Sequence, residues 1–357
     1  MSRIEVITAS ELDAGLERLW KTLQAADPDL ASPFFAPEFC RIVAEVRDDV
    51  QIAVISGEGG PVGFLPFHRQ RFGRLAPLAG QISDYHGVIG SDGGLGPAAL
   101  LTALKAQAYD FNHVPGSQTL FCGQAFLHTA SPLVDLTEGF DSWRTAKRVQ
   151  GSAIKTAERK GRKLAREIGP LRFVANDSDP GTWARLIEWK RDALSAIGVD
   201  LILDRPWAGA AVDRVRMADA PVFGGMTSAL WAGDELAAVS FSMRTGRTVH
   251  SWFPTYNPDL ERYSPGLTLL LETLRHAGEA GFTEVDLGRG TERYKSEFAT
   301  GARTLCEGSV ERRLSPLGLT RGLRKTVQAT VNRTGNPELT ETARRAGNRL
   351  LSAGRIF

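Results

Sequence analysis

The sequence predicts an α/β (α+β) fold of two tandem units with mixed, mainly antiparallel sheets, followed by a basic helical C-terminal tail. Three observations carry this. A β-hairpin, a helix and a strand succeed one another twice in the same order. "AVISGEGGPVGFLPF" from Ala53 aligns with "ALWAGDELAAVSFSM" from Ala229, and "GPAALLTALKAQA" stands opposite "SPGLTLLLETLRH", as a duplicated unit would place them. With 357 residues, 42% of them hydrophobic and 24% charged, the chain can fill the cores of two such units. The predicted boundaries are 1–143 for the first unit, 144–170 for a basic linking helix, 171–311 for the second unit and 312–357 for the tail.

Each element has a local reason. Residues 4–7 read as a strand, and Ser10 as the cap of a helix running to about Gln24. "SPFFAPEFCRIVAEV" gives a second helix with Pro37 in its first turn, where a missing N–H costs nothing. Two β-rich runs flank residues 57–60 as a hairpin. A helix is expected from about Pro97 to Tyr109, then a strand at "QTLFCG". In the second unit, turns at Gly233-Asp234 and Thr245-Gly246 separate three strands. Leu267, Leu270, Leu271 and Leu274 recur at the spacing of one buried helix face, and "FTEVDLG" follows as a strand. Between the units, residues 144–166 hold nine Lys/Arg and one acidic residue, Glu158, with Ile154, Ala157 and Leu164 as the apolar stripe of a basic helix.

Bulk charge excludes some classes. A net charge of +2 is too small for a polybasic nucleic-acid binder. Cys40, Cys122 and Cys306 form no CxxC pair, which argues against a disulfide framework and a structural zinc, and for a reducing, cytoplasmic setting. The N-terminal stretch has no apolar signal core, and no run approaches the roughly 20 apolar residues of a spanning helix, although contact with a membrane surface stays open. GxGxxG, Walker, HExxH and GxSxG patterns are absent.

Chemistry concentrates in four places. The loop "NPDLERYSPG" precedes a helix whose first N–H groups would face an anion, with Arg262, Tyr263, Ser264, Gly266 and Leu267 around it; it reads equally as an ordinary helix start capped by Ser264. Upstream, "VHSWFPTYNP" places Trp252, Phe253 and Tyr256 beside Pro254, whose missing donor should end strand pairing and open an edge to an extended ligand; aromatic core packing is the other reading. The stretch "DLGRGTERYKSEF" follows the neighbouring strand. Tyr294 there could protonate a leaving thiolate, Lys295 hold an anion and Glu292 accept a proton, or the segment is a solvated helix start. In "ISDYHGVI", Asp84 and His86 are general-base candidates in a β context, or a structural pair.

These residues resemble a known family. "YNPDLERYSPGLTLLLETLRHAGEAGFTEVDLGRGTERYKSEFA" and "SAIKTAERKGRKLAREIGPLRF" are similar to the cellulose-biosynthesis-type (CelD-like) acyltransferases of the Gcn5-related N-acetyltransferase superfamily. The resemblance is densest from Trp231 to Phe298. It implies two tandem acetyltransferase-like domains, acetyl-CoA or another acyl-CoA as co-substrate, no metal, and a role in bacterial exopolysaccharide systems, including cellulose and holdfast polymers. The implied acceptor is an amine on an amino sugar of a polysaccharide or its lipid-linked precursor. The phosphate loop, with one glycine and a proline, departs from the usual glycine-rich signature. Two other readings stand beside this one. A degenerate regulator would bind a cyclic dinucleotide or anionic lipid through tail residues Arg321, Arg324, Lys325, Arg344, Arg345 and Arg349. A peptidoglycan-bridge transferase would take its aminoacyl group from tRNA.

Overall fold

The computed structural model describes residues 3–312. The tail arginines Arg321, Arg324, Arg344, Arg345 and Arg349 lie outside the described residues. The first half runs β1 (Arg3–Ile7), α1 (Ala14–Ala26), α2 (Pro37–Val46), β2 (Val50–Gly57), β3 (Gly60–Arg69), β4 (Arg74–Pro77), β5 (Ile89–Gly90), α3 (Pro97–Ala103), β6 (Ala108–Pro115), α4 (Thr119–Cys122) and β7 (Ala125–Asp135). The second runs α5 (Phe140–Gln150), α6 (Ala153–Glu167), β8 (Leu171–Val174), α7 (Pro180–Ser195), α8 (Pro206–Met217), β9 (Asp219–Ala220), β10 (Phe223–Ala232), β11 (Glu235–Thr245), β12 (Thr248–Tyr256), α9 (Pro265–Glu279), β13 (Glu284–Asp286), α10 (Arg293–Phe298) and β14 (Gly301–Glu311).

The described strands form one sheet whose main path is β1-β2-β3-β4-β6-β14-β7-β13-β12-β11-β10-β8. Read from its two ends, the path is the same unit twice. Each half is an antiparallel ladder that takes a single parallel step, β4 to β6 in the first and β12 to β13 in the second. A helix, α3 or α9, makes each crossover. Beyond that step the halves exchange strands. β14 comes from the end of the second half yet pairs with β6, while β7 from the first half pairs with β13. β14 and β7 pair with each other and close the seam. One hydrophobic core crosses it, with Trp20, Phe39, Phe64 and Tyr85 of the first half joined to Phe241, Met243 and Trp252 of the second.

Several sequence expectations are corrected. The first helix is capped by Asp13, whose carboxylate accepts the Leu16 N–H, and not by Ser10. The helix from Pro97 ends at Ala103, because Lys105 turns into the left-handed region (φ 50°) and Ala106 N–H bonds back to Leu101. Residues 108–115 are therefore a strand, and "QTLFCG" contains a short helix that buries Leu120 and Phe121. The basic linking segment is two helices, broken at Gly151-Ser152, with Ile154, Ala157 and Leu164 buried as expected. Cys122 and Cys306 form a disulfide, against the reading of unpaired thiols: the return of β14 to the first half brings together residues 184 positions apart. Among the described residues, no helix is long and apolar enough to cross a membrane.

Candidate active site

β12 and β13 part after three paired positions, Thr248–Glu284, Val249–Val285 and His250–Asp286. β13 stops there, while β12 continues to Tyr256 paired only with β11. Two local features cause the parting. Trp252 is an extra residue on β12, a bulge between the Phe241–Phe253 and Ser242–Ser251 pairs, and bulges bend a strand. On the other side Gly288 takes φ 74°, and a Cβ there would sit 3.4 Å from Ser251 O and 3.7 Å from Asp84 Oδ2. Gly288 thus marks the crotch of a V, at a place where the backbone conformation would strain any other residue.

The N-terminus of α9 faces the same region. Ser264 precedes it in the left-handed region (φ 49°) and does not cap it, so the expected serine cap is replaced by a hydroxyl that accepts from Lys160 Nζ at 2.7 Å. Pro265 opens the helix, and Gly266 lies 3.5 Å, measured from where its Cβ would be, from the Tyr256 ring. Gly161 of α6 lets that basic helix approach Thr268 of α9. The result is a helix end whose Leu267 N–H bonds the Ser264 carbonyl at 3.1 Å, with the Lys160 ammonium alongside and an exposed tyrosine at its lip.

Behind the crotch lies a buried polar network drawn from both halves. His250 is fully buried, with Nε2 2.9 Å from Asp84 Oδ2 and Nδ1 3.7 Å from Asp286 Oδ2. Asp286 accepts from the Tyr85 hydroxyl (2.6 Å), the Ser131 hydroxyl (2.5 Å) and the Gly288 N–H (2.8 Å), with the Arg303 guanidinium at 3.6 Å. Burial alone would lower the His250 pKa, but Asp286 and Asp84 more than reverse this and raise it to about 9. Burial likewise opposes ionisation of Asp286, and His250, Ser131 and Tyr85 outweigh it, leaving a pKa of about 2. The ring is therefore an imidazolium between two carboxylates, and Asp84 is the member of the network with access to solvent.

The other sequence candidates divide. Asp84 reaches the crotch, although residues 83–88 are loop and not the expected strand. His86 does not reach it: its Nε2 accepts the Asn112 and His113 N–H groups, and burial holds the ring neutral, so its general-base reading is corrected. Lys295 is also spent, on the Gly288 and Arg289 carbonyls (3.2 Å each) and Glu292 (3.4 Å); it staples the loop and leaves no donor for an external anion. Glu292 is largely exposed beside it. Tyr294 is half-buried, and burial, then the Glu292 carboxylate, raise its phenol to about 12, so it stays protonated. Trp252 packs into the core, stacked on Phe253 (4.7 Å) and edge-on to Phe34 (5.3 Å), and Phe253 stacks on Phe241 (6.5 Å), which favours the packing reading for both. Tyr263 is buried, donates to Glu167 and carries Arg262 over its ring, so it is a core residue and not a ligand contact. Leu267 is partly buried against the core.

Sequence reasoning missed His250, Asp286, Ser131 and Arg303. The signal was a histidine and an aspartate inside the apolar strands "TVHSWF" and "EVDLG". His113 joins the same area; burial lowers its pKa to about 4, against the pull of Asp84.

Residues 151–296 match the family described as "Acetyltransferase (GNAT) domain". That is the second half, from α6 to α10. No curated protein matches the sequence. The fold is shared with the C-terminal domain of a putative lysylphosphatidylglycerol synthetase from Agrobacterium fabrum (15% identity, 87% of this chain and 95% of that chain, TM-score 0.51). It is shared also with L-PGS from Bacillus licheniformis (12%, 80% and 94%, 0.51) and with FemX (9%, 86% and 96%, 0.52). The first half repeats the element order and parallel step of the matched half, so the architecture is a tandem of two GNAT-like α/β domains. Among the described residues no His/Cys/Asp/Glu group is arranged to hold a metal.

Proposed function

We propose that the chain is a CoA-dependent N-acyltransferase acting on the amine of an amino sugar in a bacterial exopolysaccharide or its precursor. The observation that carries the acyl-transfer reading is the parted β12–β13 pair with the α9 N-terminus at its mouth. An extended thioester donor needs unpaired backbone along one side and an anion site for its phosphates, and residues 252–256 with Lys160 and the start of α9 offer both. Asp84 is placed to accept the amine's proton, and Tyr294 stays protonated at neutral pH and can supply one to the departing thiolate. Attack by the amine on the thioester is direct, because Cys40 is buried with its thiol raised to about 12 and the other two cysteines are paired. The amino-sugar acceptor rests on the sequence resemblance.

Calorimetric titration with a hydrolysis-resistant CoA thioether tests the donor. Saturable binding that weakens in Gly266→Val is expected; no heat at millimolar analogue would sink the reading. A second reading has its own observation. Lys155, Arg159, Arg162 and Arg166 stand exposed along one face of α6, whose Lys160 touches the α9 start, and such a face suits the phosphates of an aminoacyl-tRNA donor. Ribonuclease treatment separates the two: it abolishes tRNA-dependent transfer and leaves CoA-dependent transfer intact.

A further inference from the structure

The two halves treat the same gap in the sheet differently. In the second half, β12 runs to Tyr256, and only residues 257–264 separate it from α9. In the first half, β4 ends at Pro77, and residues 78–96 separate it from α3. Part of that longer segment fills the gap. Its leading end turns at Ala79, whose N–H bonds His68 Nε2. On the β6 side, the His86 N–H donates to His113 O at 3.3 Å, and the His86 ring accepts the Asn112 and His113 amides at 3.1 and 3.2 Å. These are backbone groups of β6 beyond the two positions at which β4 pairs with it, Ala108 and Tyr109. On the β3 side, Ile89 and Gly90 pair with Phe64 and Gly63, beyond the positions that β4 covers. The Gln118 side chain clamps the middle, donating to Val88 O and accepting Val88 N–H, both at 2.9 Å. Gly87 suits this place, since its φ of 146° would strain any other residue and a Cβ, 2.4 Å from Gln118 Oε1, would push the clamping amide aside.

We infer that residues 80–90 are a built-in plug that occupies the first half's donor groove and turns that half into the arm that presents Asp84 to the second half's site. The inference rests on the acyl-transfer reading for the second half. Its physical basis is that an extended ligand binds a parted sheet through unpaired strand backbone, and in the first half the plug already bonds to both strands. The same segment carries Asp84 to His250 and Tyr85 to Asp286, and the Arg303 guanidinium of β14 donates to the Tyr85 hydroxyl, side-chain bonds that join the plug to the second half's strands. One chain therefore holds one donor, and the first half acts only through its loop. His86 is a positioning residue: it seats the plug and so the Asp84 carboxylate, without touching donor or acceptor.

Hydrogen exchange on the full chain, with and without the CoA thioether, tests this. The Asn112, His113 and Val88 amides are expected to be protected in the free protein and unchanged by the analogue, with new protection confined to residues 252–256 and 266–268, and calorimetry is expected to give one site per chain. Two sites, analogue-induced protection on residues 108–115, or unprotected Asn112 and His113 in the free protein would overturn the plug. Protected amides with no analogue binding anywhere would support the plug while removing the CoA reading. His86→Ala is expected to lower kcat by on the order of 10-fold with donor KM unchanged, and His86→Gln, which keeps an acceptor for the two amides, to restore part of it. A joint loss of kcat and donor affinity in both variants would overturn the positioning role.

Discussion

Asp286 is surrounded by three hydrogen-bond donors and lies within ion-pair reach of two cations, and this fixes what its neighbours can do. Removing its charge would leave His250 and Arg303 buried with too little compensation. Asp286→Asn is expected to cost about 3–5 kcal/mol in urea unfolding, the scale for breaking a buried pair; a change below about 1 kcal/mol would deny the network its structural weight. The pH dependence has a definite sign. His250 is raised from 6.5 to about 9 on folding, so its stabilisation is complete below about pH 6.5 and is lost as pH rises through about 9. Asp286 is depressed from 3.8 to about 2, so its contribution is present above about pH 4 and lost as pH falls through about 2. Unfolding curves between pH 6 and 10 should show stability falling over that interval, and His250→Gln should flatten the fall. Asp84→Asn is expected to lower kcat by roughly 10²–10⁴, the usual weight of a general base, while donor KM stays within a few-fold; equal activity would move the base elsewhere. Asp84 was legible in the sequence because a carboxylate interrupts an apolar run. His250 and Asp286 were equally visible as polar residues in apolar strands, but their partnership is made across the parallel step, which no local pattern encodes.

At the scale of elements, α9 and β12 carry the donor reading. The start of α9 was legible from Pro265 and the leucine spacing; the end of pairing was not, since β12 pairs with β11 through Pro254 and parts from β13 already after His250. Side-chain direction is not encoded by either signal. Of the two readings the sequence allows at Trp252, core packing holds, and Tyr263 too faces the core, because the bulge re-aims one and Glu167 anchors the other. Lys160→Ala should raise donor KM about 3–10-fold, near the 1 kcal/mol scale of a cation beside a helix end, with kcat unchanged. β6 escaped notice because Asp110, Asn112 and His113 break its alternation, although it is flanked on both edges. The Cys122–Cys306 bond pins α4 to β14, so Cys122→Ser, or reductant on the unmodified protein, is expected to lower stability by about 2–5 kcal/mol. Identical melts with and without reductant would mean the thiols are unpaired in solution.

On the whole-molecule scale, the repeat was readable from element order, but the strand exchange was not. Nothing local to "GARTLCEGSVE" says that it crosses to the first half; that choice is set by the free edges of β6 and β7, which only the assembled sheet presents. The shared core and exchanged strands make the halves interdependent. A chain ending at residue 300 loses the strand between β6 and β7, and it is expected to lose cooperative unfolding in both halves instead of leaving one intact. Donor binding depends on the opening between β12 and β13. Diffraction from crystals soaked with a CoA thioether examines it most directly: density for the pantetheine arm along residues 252–256, with phosphates at Lys160 and the start of α9, is the predicted result. Binding confined to the first half's gap, or an unaltered opening at saturating analogue, would contradict it.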